Sequence, residues 1–128
     1  MVSQIRGVRI AGVASTVPAG VRTIEDEANV LGVDPVRLKR LQRDIGISRR
    51  HVTLNGECTS DLCEQAASSL LSELTYDPGT IDALLLVTQT PDYFQPATSY
   101  ILHGRLGLNR DCAVYDLNLG CSGYVYGL

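Results

Sequence analysis

Ala113-Val114-Tyr115-Asp116-Leu117-Asn118-Leu119-Gly120-Cys121-Ser122-Gly123-Tyr124 is the stretch that decides how this chain folds. A short apolar strand runs into a cysteine with one glycine immediately before it and another two places after. The residues beyond Gly123 read as the start of an apolar helix. A strand, a sharp turn and a nucleophile at the head of a helix is the arrangement of the hydrolase nucleophile elbow. Such a turn lifts a sulfur out of the backbone, where unpaired N–H groups and the helix dipole favour a thiolate. Cys121 is therefore the candidate nucleophile, and its own backbone N–H is a candidate oxyanion donor.

Working outward, the strand spans Cys112 to Leu119 and is preceded by a helix from Thr98 to Leu106 that ends at Gly107. Before that helix comes a loop from Thr88 to Pro96, because Pro91 and Pro96 stop the run Ile81–Val87 from continuing as a strand. That run is apolar enough to be buried on both faces. Leu62, Cys63, Ala66, Ala67, Leu70, Leu71 and Leu74 predict a helix from about Ser60 to Thr75. Asp34-Pro35 opens an earlier helix as N-cap and first-position proline, and Gly46 ends it. Thr23 opens a short helix with Glu25, Asp26 and Glu27 in its first turn. Thr16–Arg22 reads as a loop, and the alternation over Ile5–Ala14 predicts a first strand. Strands separated by helices imply an α/β fold with a mostly parallel sheet and right-handed crossovers.

The 128 residues suit one compact domain or the first part of a larger one. A formal charge of −3 argues against non-specific nucleic-acid binding. Neither a signal peptide nor a membrane-length apolar run is visible, so a cytoplasmic protein without membrane contact is expected. Cys58, Cys63, Cys112 and Cys121 form no Cys-x-x-Cys pair, and only His51 and His103 could join them, so no metal site is expected. Cys112 and Cys63 read as small buried hydrophobes and Cys58 as a loop thiol. His51 and His103 read as structural.

Four stretches occur in the order seen in one family: Gly46-Ile47-Ser48-Arg49-Arg50, Ser60-Asp61-Leu62, Thr90-Pro91-Asp92-Tyr93, and Asp116 through Tyr124. With them the chain resembles the N-terminal part of a beta-ketoacyl-acyl-carrier-protein synthase III, a thiolase-fold condensing enzyme. The likeness covers essentially all of the sequence, and the last stretch is the most specific. The resemblance implies one thiolase-like domain over residues 1–128, incomplete and truncated in the helix after the nucleophile. It implies that Cys121 accepts an acyl group from a thioester, and that the intact enzyme condenses it with decarboxylated malonyl-carrier protein to a 3-oxoacyl product of fatty-acid or secondary-metabolite type. Thiolate chemistry suits the role, since a thiolate attacks a thioester well and leaves well.

The resemblance also implies a homodimer, no permanently bound cofactor, and coenzyme A or carrier-protein thioesters as substrates. The family's histidine and asparagine fall well after the cysteine. No residue follows Leu128 here, so the chain alone is expected to be inactive in condensation and to aggregate or associate. Arg40, Arg43, Arg49 and Arg50 are candidate contacts for coenzyme A phosphates or an acidic carrier protein, whereas Arg37 and Lys39 read as a solvated face. The family commonly places a tryptophan and an arginine before the Gly-Ile turn; here Arg40 and Asp44 occupy those positions, which favours a carrier-protein or different coenzyme A donor. The Thr90–Pro96 loop corresponds to the family's acyl pocket and dimer interface, with Phe94 and Gln95 at its tip. A polar Gln95 suits either a polar acyl substrate or a backbone hydrogen bond. Two other readings stay open: a relative that transfers acyl groups to oxygen or nitrogen or resembles hydroxymethylglutaryl-CoA synthase, and a non-catalytic partner subunit, against which the intact Gly120-Cys121-Ser122-Gly123 argues.

Overall fold

A computed structural model describes residues 6–128. They form β1 (Gly20–Thr23), α1 (Ile24–Leu31), α2 (Pro35–Ile45), β2 (Arg49–Val52), α3 (Thr59–Leu74), a 3-10 turn (Pro78–Thr80), β3 (Ala83–Val87), α4 (Thr98–Leu106), β4 (Ala113–Leu117) and α5 (Gly123–Gly127). They group into two compact units, one of residues 17–58 and the other of the flanking residues up to 16 and from 59.

In the first of these units, α1 and α2 carry the caps read from sequence. The Thr23 hydroxyl accepts from the Asp26 N–H while the Asp26 carboxylate accepts from the Thr23 N–H, a reciprocal capping box. Asp34 caps α2 through the Val36 and Arg37 N–H groups, and Gly46 closes it at φ 74°, a conformation that favours glycine. The Thr16–Arg22 loop predicted from sequence is corrected at its end. Residues 20–23 pair antiparallel with β2, in the register Gly20↔Val52 to Thr23↔Arg49. Gly20 permits this pairing, because a Cβ there would lie 2.6 Å from the Val52 carbonyl oxygen. Ile24, Ala28, Val33, Leu38, Leu41, Ile45 and Ile47 line a cavity of about 210 Å³ between these elements.

The second unit holds the parallel pair β3–β4, registered Ala83↔Ala113 to Val87↔Leu117. α4 packs on α3 and on both strands, and α5 lies against β3. Among the described residues, Leu86, Leu102, Leu108 and Cys112 are its buried apolar side chains. The fold is α/β with a short parallel sheet and flanking helices, as the sequence pattern predicts.

The predicted strand over Ile5–Ala14 does not form among the described residues; Ile5 itself lies outside them. Residues 11–16 keep the strand's alternation of exposed and half-buried positions but have no ladder partner among the described residues. The segment instead packs on α3, where a Cβ at Gly12 would come within 2.9 Å of Leu70 Cδ1 and 3.2 Å of Leu74 Cδ1. Alternation reports which faces are covered; a strand also needs a neighbour to hydrogen-bond.

Candidate functional site

β4 delivers the chain to Cys121 at the C-terminal end of the parallel pair, the edge at which open α/β sheets bind ligands. The Gly123 N–H donates to the Gly120 carbonyl at 2.8 Å, closing a tight turn with Cys121 and Ser122 at its two central positions. The Cys121 side chain is exposed at that turn. Its backbone N–H has no acceptor among the described residues and stays available to an incoming oxygen. α5 begins at Gly123 and contributes one short turn of helix.

The two flanking glycines are there for close packing, since neither has a positive φ. A Cβ at Gly123 would lie 2.5 Å from Val87 Cγ1, so the glycine lets α5 sit flush on β3. A Cβ at Gly120 would lie 2.4 Å from Gln89 Nε2, so the Gln89 carboxamide rests on the Gly120 Cα.

The loop between β3 and α4 is held from both sides. Thr88 donates its N–H to the Leu117 carbonyl at 3.2 Å, tying the loop's start to the end of β4. The Thr59 hydroxyl donates to the Thr90 carbonyl at 2.7 Å, and the Ser60 N–H donates to Asp92 Oδ1 at 3.1 Å, so the start of α3 grips the loop. Asp116, one position before the end of β4, accepts from the Thr98 and Ser99 N–H groups, each at 2.9 Å. This carboxylate from a neighbouring strand satisfies the unpaired N–H groups of α4, for which Ala97 offers no side-chain cap. The buried Thr98 hydroxyl accepts from the Asp92 N–H at 3.0 Å, and the Arg105 guanidinium donates to the buried Ser60 hydroxyl at 3.0 Å and to Asp61 at 2.8 Å.

Of the residues singled out from sequence, Cys121, Phe94 and Gln95 belong to this unit. Phe94 and Gln95 stand exposed on the loop, Phe94 at 87%. Arg40, Arg43, Arg49 and Arg50 all lie in the other unit. There, Arg50 is engaged by Glu27 and Arg43 by Asp44 at 3.3 Å, while Arg40 and Arg49 are exposed without an ion pair among the described residues. His51 donates from Nδ1 to the Pro18 carbonyl at 2.7 Å, and His103 from Nε2 to the Asn109 carbonyl at 2.8 Å, both structural bonds. Burial pushes the Cys63 thiol above its ordinary range, with the negative charge of Asp92 adding to the effect. Cys112 is buried. No group of three or more His, Cys, Asp or Glu side chains could hold a metal among the described residues, and no helix there is long and apolar enough to cross a membrane.

Asp116, Asp92 and Gln89 are the site residues that sequence reasoning left without a role. An acid inside the apolar run Ala113–Leu119 was a usable signal for the first, because such a group needs buried donors. Gln89 gave no such signal.

A Campylobacter jejuni protein described as a 3-oxoacyl-[acyl-carrier-protein] synthase 3 is 40% identical over 121 residues, which are 94% of this chain and 34% of that protein. A beta-ketoacyl-[acyl-carrier-protein] synthase III of Xylella fastidiosa is 35% identical over 120 residues, 94% of this chain and 36% of its own length. The structure of a 3-oxoacyl-(acyl-carrier protein) synthase from Burkholderia xenovorans superposes with a TM-score of 0.86 at 38% identity, covering 91% of this chain and 33% of that one. A tetronic acid condensing enzyme superposes at 0.76 with 29% identity, over 89% and 35% of the two chains. No family model matches the sequence. The fold and the cysteine turn thus define the class: a thiolase-like condensing-enzyme fold. Within it, the chain matches the N-terminal part of proteins named beta-ketoacyl-acyl-carrier-protein synthase III, and it spans about a third of the length of the curated relatives it matches.

Proposed function

We propose that Cys121 is the acyl-accepting nucleophile of a condensing enzyme. Its Sγ, as thiolate, attacks the carbonyl carbon of an acyl thioester; the new C–S bond forms as the carbonyl electrons move to oxygen, and collapse of this tetrahedral intermediate breaks the donor's C–S bond. The donor leaves as a thiolate and takes up a proton. The Cys121 N–H, free of any backbone acceptor, would bind the oxyanion of the tetrahedral intermediate. In the intact enzyme the acyl group then passes to the carbanion released when malonyl-carrier protein loses carbon dioxide, giving a 3-oxoacyl product. The observation that carries this reading is the exposed Cys121 on its glycine-flanked turn, in a chain 40% identical to a synthase of this type.

The donor is read as an acyl-carrier protein or an unusual acyl-CoA. Arg40 and Arg49, exposed and without an ion pair among the described residues, supply positive charge for phosphate or an acidic carrier surface, while Asp44 stands where the family places an arginine. The intact protein is read as a homodimer, with exposed Tyr93 and Phe94 on the loop suited to an interface. Intact-mass spectrometry after incubation with a panel of acyl-CoA and acyl-carrier-protein thioesters tests the first step. An adduct on Cys121 that disappears in Cys121→Ala is expected. Its absence with every donor, or its persistence in Cys121→Ala, refutes the reading.

A further inference from the structure

We propose that Gln89 selects the acyl donor, its carboxamide hydrogen-bonding a polar substituent, such as a hydroxyl, carried near the thioester carbon of the acyl group. The inference rests on the reading of Cys121 as the acyl acceptor. The carboxamide nitrogen lies 2.4 Å from where a Cβ of residue 120 would stand. That contact and the spacing of adjacent Cα atoms place it within about 8 Å of the Cys121 Cα, a distance spanned by the cysteine side chain and the first carbons of an acyl group.

Gln89 is exposed, and its carboxamide makes no hydrogen bond among the described residues, so one donor and one acceptor face are open beside the nucleophile. The backbone beneath it is fixed. Val87, two positions earlier, packs against Gly123 and Gly127 of α5, with 2.5 and 3.1 Å to their would-be Cβ atoms. The Thr88 N–H bonds the Leu117 carbonyl, the Thr90 N–H donates to the Thr88 hydroxyl at 3.0 Å, and Thr90 is gripped in turn by Thr59. A side chain mounted on such a held backbone loses little freedom when it binds, which is what selectivity by one hydrogen bond requires. Glycine at 120 belongs to the same device, because any larger residue would take the space that the carboxamide occupies.

The test compares acylation of Cys121 in the intact protein by butanoyl-CoA and 3-hydroxybutanoyl-CoA, followed by mass. Wild type is expected to load the hydroxylated donor faster, and Gln89→Leu to shift the ratio of the two rates about fivefold to tenfold toward butanoyl, the value of one neutral hydrogen bond. Gly120→Ala, whose methyl displaces the carboxamide, is expected to shift the ratio the same way and serves if Gln89→Leu does not fold. A merely structural Gln89 would lower both rates together and leave the ratio as it was. An unchanged ratio in both variants with Cys121 still acylated overturns the inference alone. No acylation of wild type by any thioester overturns the nucleophile reading, and this inference with it.

Discussion

Substituting alanine at Gly123 tests whether this glycine is present for packing. The added Cβ would lie 2.5 Å from Val87 Cγ1, about 1 Å inside ordinary carbon–carbon contact. Val87 cannot easily swing away, because its branched side chain is stiff at χ1 and its other methyl already faces Gly127. Relief must come from lifting α5 off β3, and overpacking of this kind costs about 1–3 kcal/mol. Opposing it is the better helix propensity of alanine, about 1 kcal/mol in a helix interior and less at the first position of α5. The packing term is the larger, so Gly123→Ala should destabilise by roughly 1–2 kcal/mol. Urea unfolding of the intact protein, followed by circular dichroism, measures this. Val87→Ala in the same background removes the clashing methyl, so the double variant should be about 1 kcal/mol more stable than the sum of the single effects. Lifting α5 also shifts the turn that carries Cys121, and the acylation rate should fall by up to about a hundredfold for a displacement near 1 Å. A Gly123→Ala protein as stable as wild type, or a cycle additive within about 0.5 kcal/mol, would refute the packing account.

Asp116→Asn keeps one acceptor for α4 but turns an amide toward the other N–H, and should cost about 1–3 kcal/mol of stability; a change under 0.3 kcal/mol would show that the capping carboxylate is dispensable. Iodoacetamide at mildly alkaline pH should modify exposed Cys121 and Cys58 well before Cys63, whose thiol burial pushes up, and buried Cys112; peptide mapping showing Cys63 or Cys112 modified first would contradict the burial. The Asp26 carboxyl lies below its ordinary value of 3.8 because the Thr23 N–H and hydroxyl donate to it. With the folded pKa below the unfolded one, its contribution is complete above about pH 3.8 and fades as pH falls through the lowered folded value. Asp26→Asn should flatten that part of the stability–pH curve, and a superimposable curve would count against the capping box. Gln95→Phe should change the acyl-donor preference if the loop tip touches substrate, and an unchanged preference across the thioester panel would remove Gln95 from the pocket.

The parts legible in sequence were those written in neighbouring residues. Asp34, Pro35 and Gly46 bounded α2 to the residue, the four-residue step from Leu62 to Leu74 marked α3, and Gly107 ended α4. Pairing was a different matter. β1 and β2 are four residues each, largely polar, and separated by two helices, so Gly20-Val-Arg-Thr carried no strand signal until Arg49-Arg-His-Val lay beside it. The converse error came from Ile5–Ala14, where the sequence alternates but no strand ladder forms among the described residues. At the site, Cys121 stood out because its motif is contiguous. Gln89 did not, because what distinguishes it is a contact with Gly120, far along the chain and across the sheet edge.

The glycines beside Cys121 show how one local string can carry a non-local requirement. Read along the chain, Gly120 and Gly123 suggest a turn that needs conformational freedom, yet neither adopts a positive φ. What forbids a side chain at each is a neighbour from the loop or strand before α4: Gln89 at one and Val87 at the other. Asp116 adds a third fit, to the start of α4. Three contacts to three different places therefore fix the orientation of the turn. Between Gly120 and Gly123, Cys121 and Ser122 are both exposed and neither N–H is bonded among the described residues, but only the cysteine offers a sulfur that can react as a thiolate. On the proposal that Cys121 accepts an acyl group, a turn pinned in this way holds its thiol before the substrate arrives, the preorganisation that rate enhancement at a nucleophile demands. It follows that substitutions at Val87, Gln89 or Asp116, none of which is the reacting group, should alter how Cys121 reacts.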